Sequence, residues 1–149
     1  MTFNLKLTDE RGAQLQMIAD AEDKRVVDVI DDAIRAKVAA GVIPADLPNI
    51  EVTKTPEGIA ITAPGFSGKA TESEGPVLAD ALRLAGTKFT PADVQRKKLL
   101  IEGLGALSGI KVERMGAGIR LVSRITGEKY TLSFGVAEDL ASQIERAAE

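Results

Sequence analysis

Apolar and polar residues alternate over the first strand-like stretch of the chain, and the pattern then changes to a helical period. In residues 2–7, Phe3, Leu5 and Leu7 are apolar and the residues between them are polar, which predicts a strand with one apolar face. A strand at a chain terminus needs a partner for its backbone hydrogen bonds. Because no second strand-like stretch occurs before residue 41, we predict that the partner is the same strand of a second chain.

Two amphipathic helices are predicted after this strand. Thr8 is a suitable N-cap for the first, and the acidic residues that follow it suit the positive end of a helix dipole. Residues 23–25 are predicted to form the turn, and Gly41 to end the second helix. The apolar stripes consist of Leu15, Ile18 and Ala19 in the first helix and of Val26, Val27, Ile30, Ala33, Ile34 and Val38 in the second.

This order of strand, helix and helix over residues 1–41 resembles the ribbon-helix-helix family of DNA-binding proteins. The resemblance implies an intertwined homodimer whose antiparallel ribbon enters the DNA major groove. It also implies that the polar strand residues Thr2, Asn4 and Lys6 face the bases, and that a phosphate is held near Lys24 and Arg25. Asn pairs well with adenine and Lys with guanine in that groove. No family is recognised for residues 50–149.

The charge of the N-terminal segment leaves a second interpretation open. Residues 1–41 contain six Lys or Arg against eight Asp or Glu, a net charge of −2. Proteins that bind phosphate usually present a basic surface. The alternative is therefore that this segment only dimerises the chain.

Residues 42–49 are predicted to be a linker, and residues 50–149 a separate α+β domain of β-hairpins and three helices. Period-two alternation on both sides of a turn at residues 56–58 predicts the first hairpin. Three strand-like runs at 110–115, 119–125 and 129–134 predict the second group of strands. The helices are predicted from residue 75 to 86, from residue 90 onward and over 136–147. The polar, glycine-rich residues 63–75 are predicted to form a mobile loop.

The two groups of strands share a sequence pattern at a constant offset of sixty residues. Ile50 and Val52, with Ile59 and Ile61 after a glycine, correspond to Ile110 and Val112, with Ile119 and Leu121 after a glycine. The pattern is explained either by an internal duplication or by the common composition of β-hairpins, and the sequence does not choose between them.

Residues 88–129 are basic in a chain whose net charge is −3. They contain nine Lys or Arg against four acidic residues. The functional interpretation is a second contact with nucleic acid or with an acidic protein. The alternative is a solvated outer face. The candidate residues are Arg96, Lys97, Lys111, Arg120, Arg124 and Lys129.

Composition excludes several classes of chemistry. The chain has no Cys and no His, so thiol nucleophiles, histidine bases and Cys/His zinc sites are excluded. No nucleotide-binding or metal-ligand motif occurs, and we predict no enzyme activity, metal or cofactor. No apolar run approaches the length of a membrane span and no signal peptide is evident, which predicts a cytoplasmic protein without membrane contact.

The sequence thus predicts a homodimeric, sequence-specific DNA-binding protein that acts as a transcriptional regulator. Its C-terminal domain is expected to bind a protein partner, to assemble oligomers or to sense a ligand. The alternative is a protein-interaction factor that does not bind DNA and whose N-terminal module only dimerises.

Overall fold

The computed structural model describes residues 4–71, 73–87, 89–105, 109–116 and 118–149. Over these residues the chain forms five helices and two three-stranded antiparallel sheets. It divides into two compact units, one ending at Pro44 and the other running from Ala45 to Glu149. The α+β class expected from the sequence is confirmed.

The N-terminal unit is a helical hairpin of α1 (Asp9–Glu22) and α2 (Val26–Ala39). The Thr8 side chain accepts a hydrogen bond from a backbone N–H in the first turn of α1, as expected of an N-cap. Asp23 ends α1 in the left-handed conformation (φ 53°), which Asp tolerates better than most residues. Gly41 (φ 77°) follows α2 in the same conformation. The predicted helices and turn are confirmed.

The strand predicted over residues 2–7 is not confirmed. Residues 4–8 have no regular secondary structure in the single chain, and Thr2 and Phe3 lie outside the described residues. The physical reason is that a terminal strand without a partner forms no ladder of hydrogen bonds. The ribbon-helix-helix arrangement therefore stays a prediction.

The N-terminal unit has almost no core of its own. Ala19 is the only buried apolar residue among its described residues, and α2 buries none. Along the apolar stripe of α2, Ile30 is 39% exposed and Ile34 is 49% exposed. Leu5, ahead of α1, is 68% exposed. The apolar stripe of α2 thus lacks a partner among the described residues of its own unit.

The C-terminal unit contains two meanders of three strands, each followed by a helix. The predicted hairpins and three helices are confirmed. Their bounds are β1 Glu51–Thr55, β2 Gly58–Ala63, β3 Phe66–Ala70, α3 Glu74–Gly86, α4 Val94–Gly105, β4 Ile110–Arg114, β5 Ile119–Ser123, β6 Lys129–Leu132 and α5 Phe134–Ala148.

The prediction of a mobile loop over residues 63–75 is wrong, because β3 lies within it and pairs with β2. Phe66, Gly68 and Ala70 are buried, and the residues between them are exposed. At Gly68 a Cβ atom would lie 2.8 Å from the side chain of Ile110. Glycine is thus needed here for close packing and does not mark a loop.

The similarity between the two groups of strands extends through the whole meander. Val52 pairs with Ile61 in the first sheet, and Val112 pairs with Leu121 in the second, sixty residues later. The connection between the second and third strands is two residues longer in the second repeat, so equivalent residues of the third strands are sixty-two positions apart. Accordingly, Ile61 pairs with Gly68 in the first sheet and Leu121 pairs with Tyr130 in the second. The structure therefore contains two βββα repeats with equivalent strand registers.

The helices of the two repeats pack against each other and close a shared core. Buried positions of α3 recur in α5 at the same offset of sixty-two, so that Leu78 corresponds to Leu140 and Leu82 to Ile144. All four side chains are at most 1% exposed. The start of α3 lies near the end of α5, since Gly75 approaches Ala148. The helices are therefore antiparallel.

Part of the predicted linker is bound to this unit. The backbone N–H of Leu47 donates to the side-chain oxygen of Gln143 at 3.1 Å, and the amide nitrogen of Gln143 donates to the Ile50 carbonyl at 3.4 Å. Arg146 pairs with Asp46 at 2.9 Å. Gln143 is 5% exposed, and these hydrogen bonds explain how a polar side chain is accommodated in the core.

Replacing Leu82 by Ala is expected to lower the free energy of unfolding by about 2–5 kcal/mol, because the substitution leaves a cavity between α3 and α5. Ile125→Ala is the control, since Ile125 is 82% exposed and its replacement should cost far less. Urea denaturation of both variants measures the difference. Equal stability of the two variants would contradict the assignment of this core.

Candidate nucleic-acid interface

The strand residues expected to read DNA bases lie ahead of α1. Asn4 and Lys6 are exposed in the single chain, whereas Thr2 lies outside the described residues. Leu5 and Leu7 alternate with them and are exposed too. The polar side chains are therefore accessible, and the apolar ones lack the contacts that a paired ribbon would supply.

Lys24 and Arg25, the expected phosphate contacts, are both paired with carboxylates of their own unit. The Lys24 ammonium lies 2.6 Å from Asp32 and 3.3 Å from Glu22. The Arg25 guanidinium binds both carboxylate oxygens of Asp28, at 3.0 and 2.9 Å. A phosphate would have to compete with these carboxylates for either cation.

The pairing at the start of α2 also changes proton affinities. Hydrogen bonds from the Arg25 guanidinium lower the pKa of Asp28 below its usual range, with a smaller contribution from the Arg25 backbone N–H, which donates to the same carboxylate at 3.2 Å. The hydrogen bond to Asp32 raises the pKa of Lys24. These shifts favour the charged forms of Asp28 and Lys24, and around the turn two cations are paired with three carboxylates.

The six candidate residues of the basic region fall in three places. Lys111, Arg120 and Lys129 lie on one face of the second sheet, on the strand positions that alternate with the buried ones. Arg124 lies in the connection between β5 and β6. Arg96 and Lys97 belong to α4. Only the first three residues share one face of secondary structure.

The Lys97 side chain is mostly buried and does not extend into solvent. Its side chain is 14% exposed and lies 3.4 Å from Asp93. The ammonium also donates to the Thr87 hydroxyl at 3.1 Å and lies 5.1 Å from the centre of the Phe89 ring. These contacts hold the start of α4 against the end of α3, so Lys97 has a structural role.

Arg114 has a structural role that the sequence did not indicate. It donates to the carbonyls of Ala85 and Thr87 at the end of α3, at 2.7 and 2.5 Å. Its guanidinium also lies 3.9 Å from the centre of the Phe89 ring and 4.7 Å from that of Phe134. A cation at a helix C-terminus satisfies carbonyls without partners and opposes the negative end of the dipole.

A cleft of about 230 Å³ lies between α4 and β4. Lys98, Ile101 and Glu102 line it from the helix, and residues 111–114 line it from the strand. Its charged groups have both signs. Among the described residues no cluster of acidic side chains has the arrangement of a metal site, and no helix is both long and apolar enough to cross a membrane.

Comparison with known proteins assigns the chain to no group. No protein-family model, no curated protein and no solved structure matches it.

Replacing Arg25 by Gln is expected to raise the pKa of Asp28 toward the usual value, because the guanidinium hydrogen bonds that favour the carboxylate are lost. In the wild type, the stabilisation from this pair is present above the ordinary Asp pKa and is lost as pH falls through the lowered one. Carbon NMR titration of the Asp28 carboxyl measures the shift. Lys6→Gln, which also removes one positive charge, is the control, and an equal shift in both variants would contradict the pairing.

Proposed function

We propose that this protein is a homodimer that binds specific DNA sequences through its N-terminal unit and acts as a transcriptional regulator. The observation that carries the proposal is the exposed apolar stripe of α2 in a unit with almost no core.

Dimerisation supplies the core that the N-terminal unit lacks. Units of about 40 residues usually need cross-links, metals or oligomerisation to fold. Disulfides are excluded because the chain has no cysteine. A second copy placed against α2 would bury Val27, Ile30 and Ile34, which are between 39% and 49% exposed in the single chain. Burying a fully exposed side chain of this size contributes about 1.5–3 kcal/mol, and each of these partly exposed side chains would contribute a part of that.

Pairing of the two N-terminal segments would complete the dimer. Leu5 and Leu7 would then lie on the face of a two-stranded ribbon that covers the helices, and Asn4 and Lys6 on the opposite face. A two-stranded ribbon fits the major groove, where Asn and Lys reach base edges. The exposed positions of Asn4 and Lys6 are compatible with this role.

The carboxylate pairing of Lys24 and Arg25 favours the second candidate, a protein-interaction factor. A dimer of residues 1–41 would have a net charge of about −4, from six basic and eight acidic residues in each copy. Such a surface attracts DNA weakly. In this alternative the N-terminal unit only dimerises, and residues 50–149 bind a partner protein.

Replacing Ile34 by Asp is expected to weaken dimerisation by about a hundredfold or more, because a charge would be buried at the interface without a partner. Ile125→Asp places the same charge on an exposed site of the C-terminal unit and should leave the dimer intact. Sedimentation equilibrium of the full chain measures both variants. A wild-type monomer, or an Ile34→Asp variant as dimeric as the wild type, would overturn the proposed interface.

Replacing Asn4 by Ala is expected to remove preference at one base position in each half-site, at about tenfold per base, while the dimer stays intact. Gln95→Ala removes an exposed amide from α4 and is the control. Selection of sequences from a random duplex pool at about 0.15 M salt measures the preference. Failure of a dimeric wild type to enrich any sequence would move the assignment to the protein-interaction factor.

A further inference from the structure

The second sheet has an outer face that is rich in cations. Within its strands, buried residues such as Ile119 and Leu121 alternate with outward ones. The structure describes every residue of these three strands. Their outward residues are Lys111, Glu113, Arg120, Val122, Lys129 and Thr131. We refer to these six residues as the cationic face.

The first repeat provides an internal comparison, because its strands pair in the same registers. The positions equivalent to the cationic face are Glu51, Thr53, Ala60, Thr62, Ser67 and Lys69. These include one basic and one acidic residue, whereas the cationic face has three basic residues and one acidic residue. Since the first sheet forms the same meander without this excess of cations, the fold itself does not require them.

A different pair of equivalent cations recurs in both repeats, and this pair is structural. Arg114 donates to carbonyls at the end of α3, and its equivalent Lys54 donates to the Glu149 carbonyl after the end of α5, at 3.3 Å. Each repeat thus supplies one cation to the C-terminal end of a helix. Arg114 and Lys54 therefore have a structural role in the fold, whereas the cations of the cationic face occur on the second sheet alone.

The cations of the cationic face are only partly neutralised. Glu113 accepts from Arg120 at 2.9 and 2.6 Å and lies 3.1 Å from the Lys111 ammonium. Hydrogen bonds from Arg120 lower the pKa of Glu113, so this carboxylate stays charged. Within the described part of the chain, the Lys129 side chain has no ion-pair partner. The single carboxylate of the face therefore contacts two of its three cations, Arg120 and Lys111.

The composition of the face fits a polyanion better than a protein partner. Protein interfaces usually have an apolar centre with aromatic residues, whereas Val122 is the only large apolar residue among these six. Single-stranded nucleic acids are usually held by stacking on aromatic side chains, and the face has none. Lys111 and Lys129 lie on either side of Val122 in the pairing register, about 10 Å apart at the backbone.

We propose that the cationic face contacts the phosphate backbone of duplex DNA through Lys111, Arg120 and Lys129. This inference rests on the proposed function and extends it, because the N-terminal unit would read sequence while the C-terminal unit adds contacts that are independent of sequence. Phosphate oxygens would replace Glu113 as the partner of Arg120 and Lys111. In a dimer the face is present twice.

The test measures the affinity of the full-length protein for a mixed-sequence DNA duplex by fluorescence anisotropy, between about 50 and 200 mM salt. Lys129→Gln is expected to weaken binding several-fold and to reduce the slope of log K against log salt by about 2 per dimer, one for each lost phosphate contact. Glu113→Gln is expected to act in the opposite direction, because it releases Arg120 and Lys111. Lys69→Gln, on the equivalent face of the first sheet, should leave the slope unchanged.

The outcomes separate this inference from the proposed function. If the wild type binds duplex DNA but Lys129→Gln and Glu113→Gln leave affinity and salt slope unchanged, as Lys69→Gln should, the cationic face is excluded as a DNA contact. The proposal for the N-terminal unit then stands. If Lys129→Gln reduces the slope while Asn4→Ala leaves sequence preference unchanged, the face is supported and strand readout fails. Absence of duplex binding by a dimeric wild type overturns both. Stronger binding to polyglutamate or to single-stranded DNA than to the duplex overturns the choice of duplex DNA.

Discussion

The packing of α3 against α5 holds the C-terminal unit together, because each of these helices also contacts the sheet of the other repeat. Helix α3 contacts β4 and β5 in addition to β3 of its own repeat, and α5 contacts β1 and β2. Both helices bury small as well as large residues, and Ala79 and Ala141, at equivalent positions, are fully buried. Arg83 and Glu145 occupy equivalent positions of the two helices and form an ion pair with each other. The two repeats therefore share one core and depend on each other for burial.

The two units differ in how their apolar side chains are buried. In the C-terminal unit the repeats bury each other, and the segment around Leu47 is held against α5 by a buried glutamine. The N-terminal unit contains no second repeat of this kind, and its helices bury only Ala19 among the described residues. The same physical requirement that joins the repeats within one chain is the basis for proposing that two chains join through α2.

Local patterns predicted most of the secondary structure, because hairpins and helices are specified by nearby residues. The period of two around residues 56–58 and the Thr8 cap depend on neighbours in sequence. β3 was missed because its buried positions are Phe66, Gly68 and Ala70, two of them too small to produce a hydrophobic alternation. The place of Gly68 is set by Ile110, forty-two residues later in the chain, and no local rule contains that contact.

The sequence by itself determined the α+β class, the helices, the hairpins and the cations available for binding, since these follow from periodicity, turn residues and composition. Only the tertiary structure decided which cations are engaged. Lys24, in the turn before α2, pairs with Asp32 eight residues later, and Arg114 caps a helix from another element, whereas Lys129 is an exposed strand residue. The physical reason is that charge pairing depends on distances of a few ångströms, which the fold sets between residues far apart in sequence.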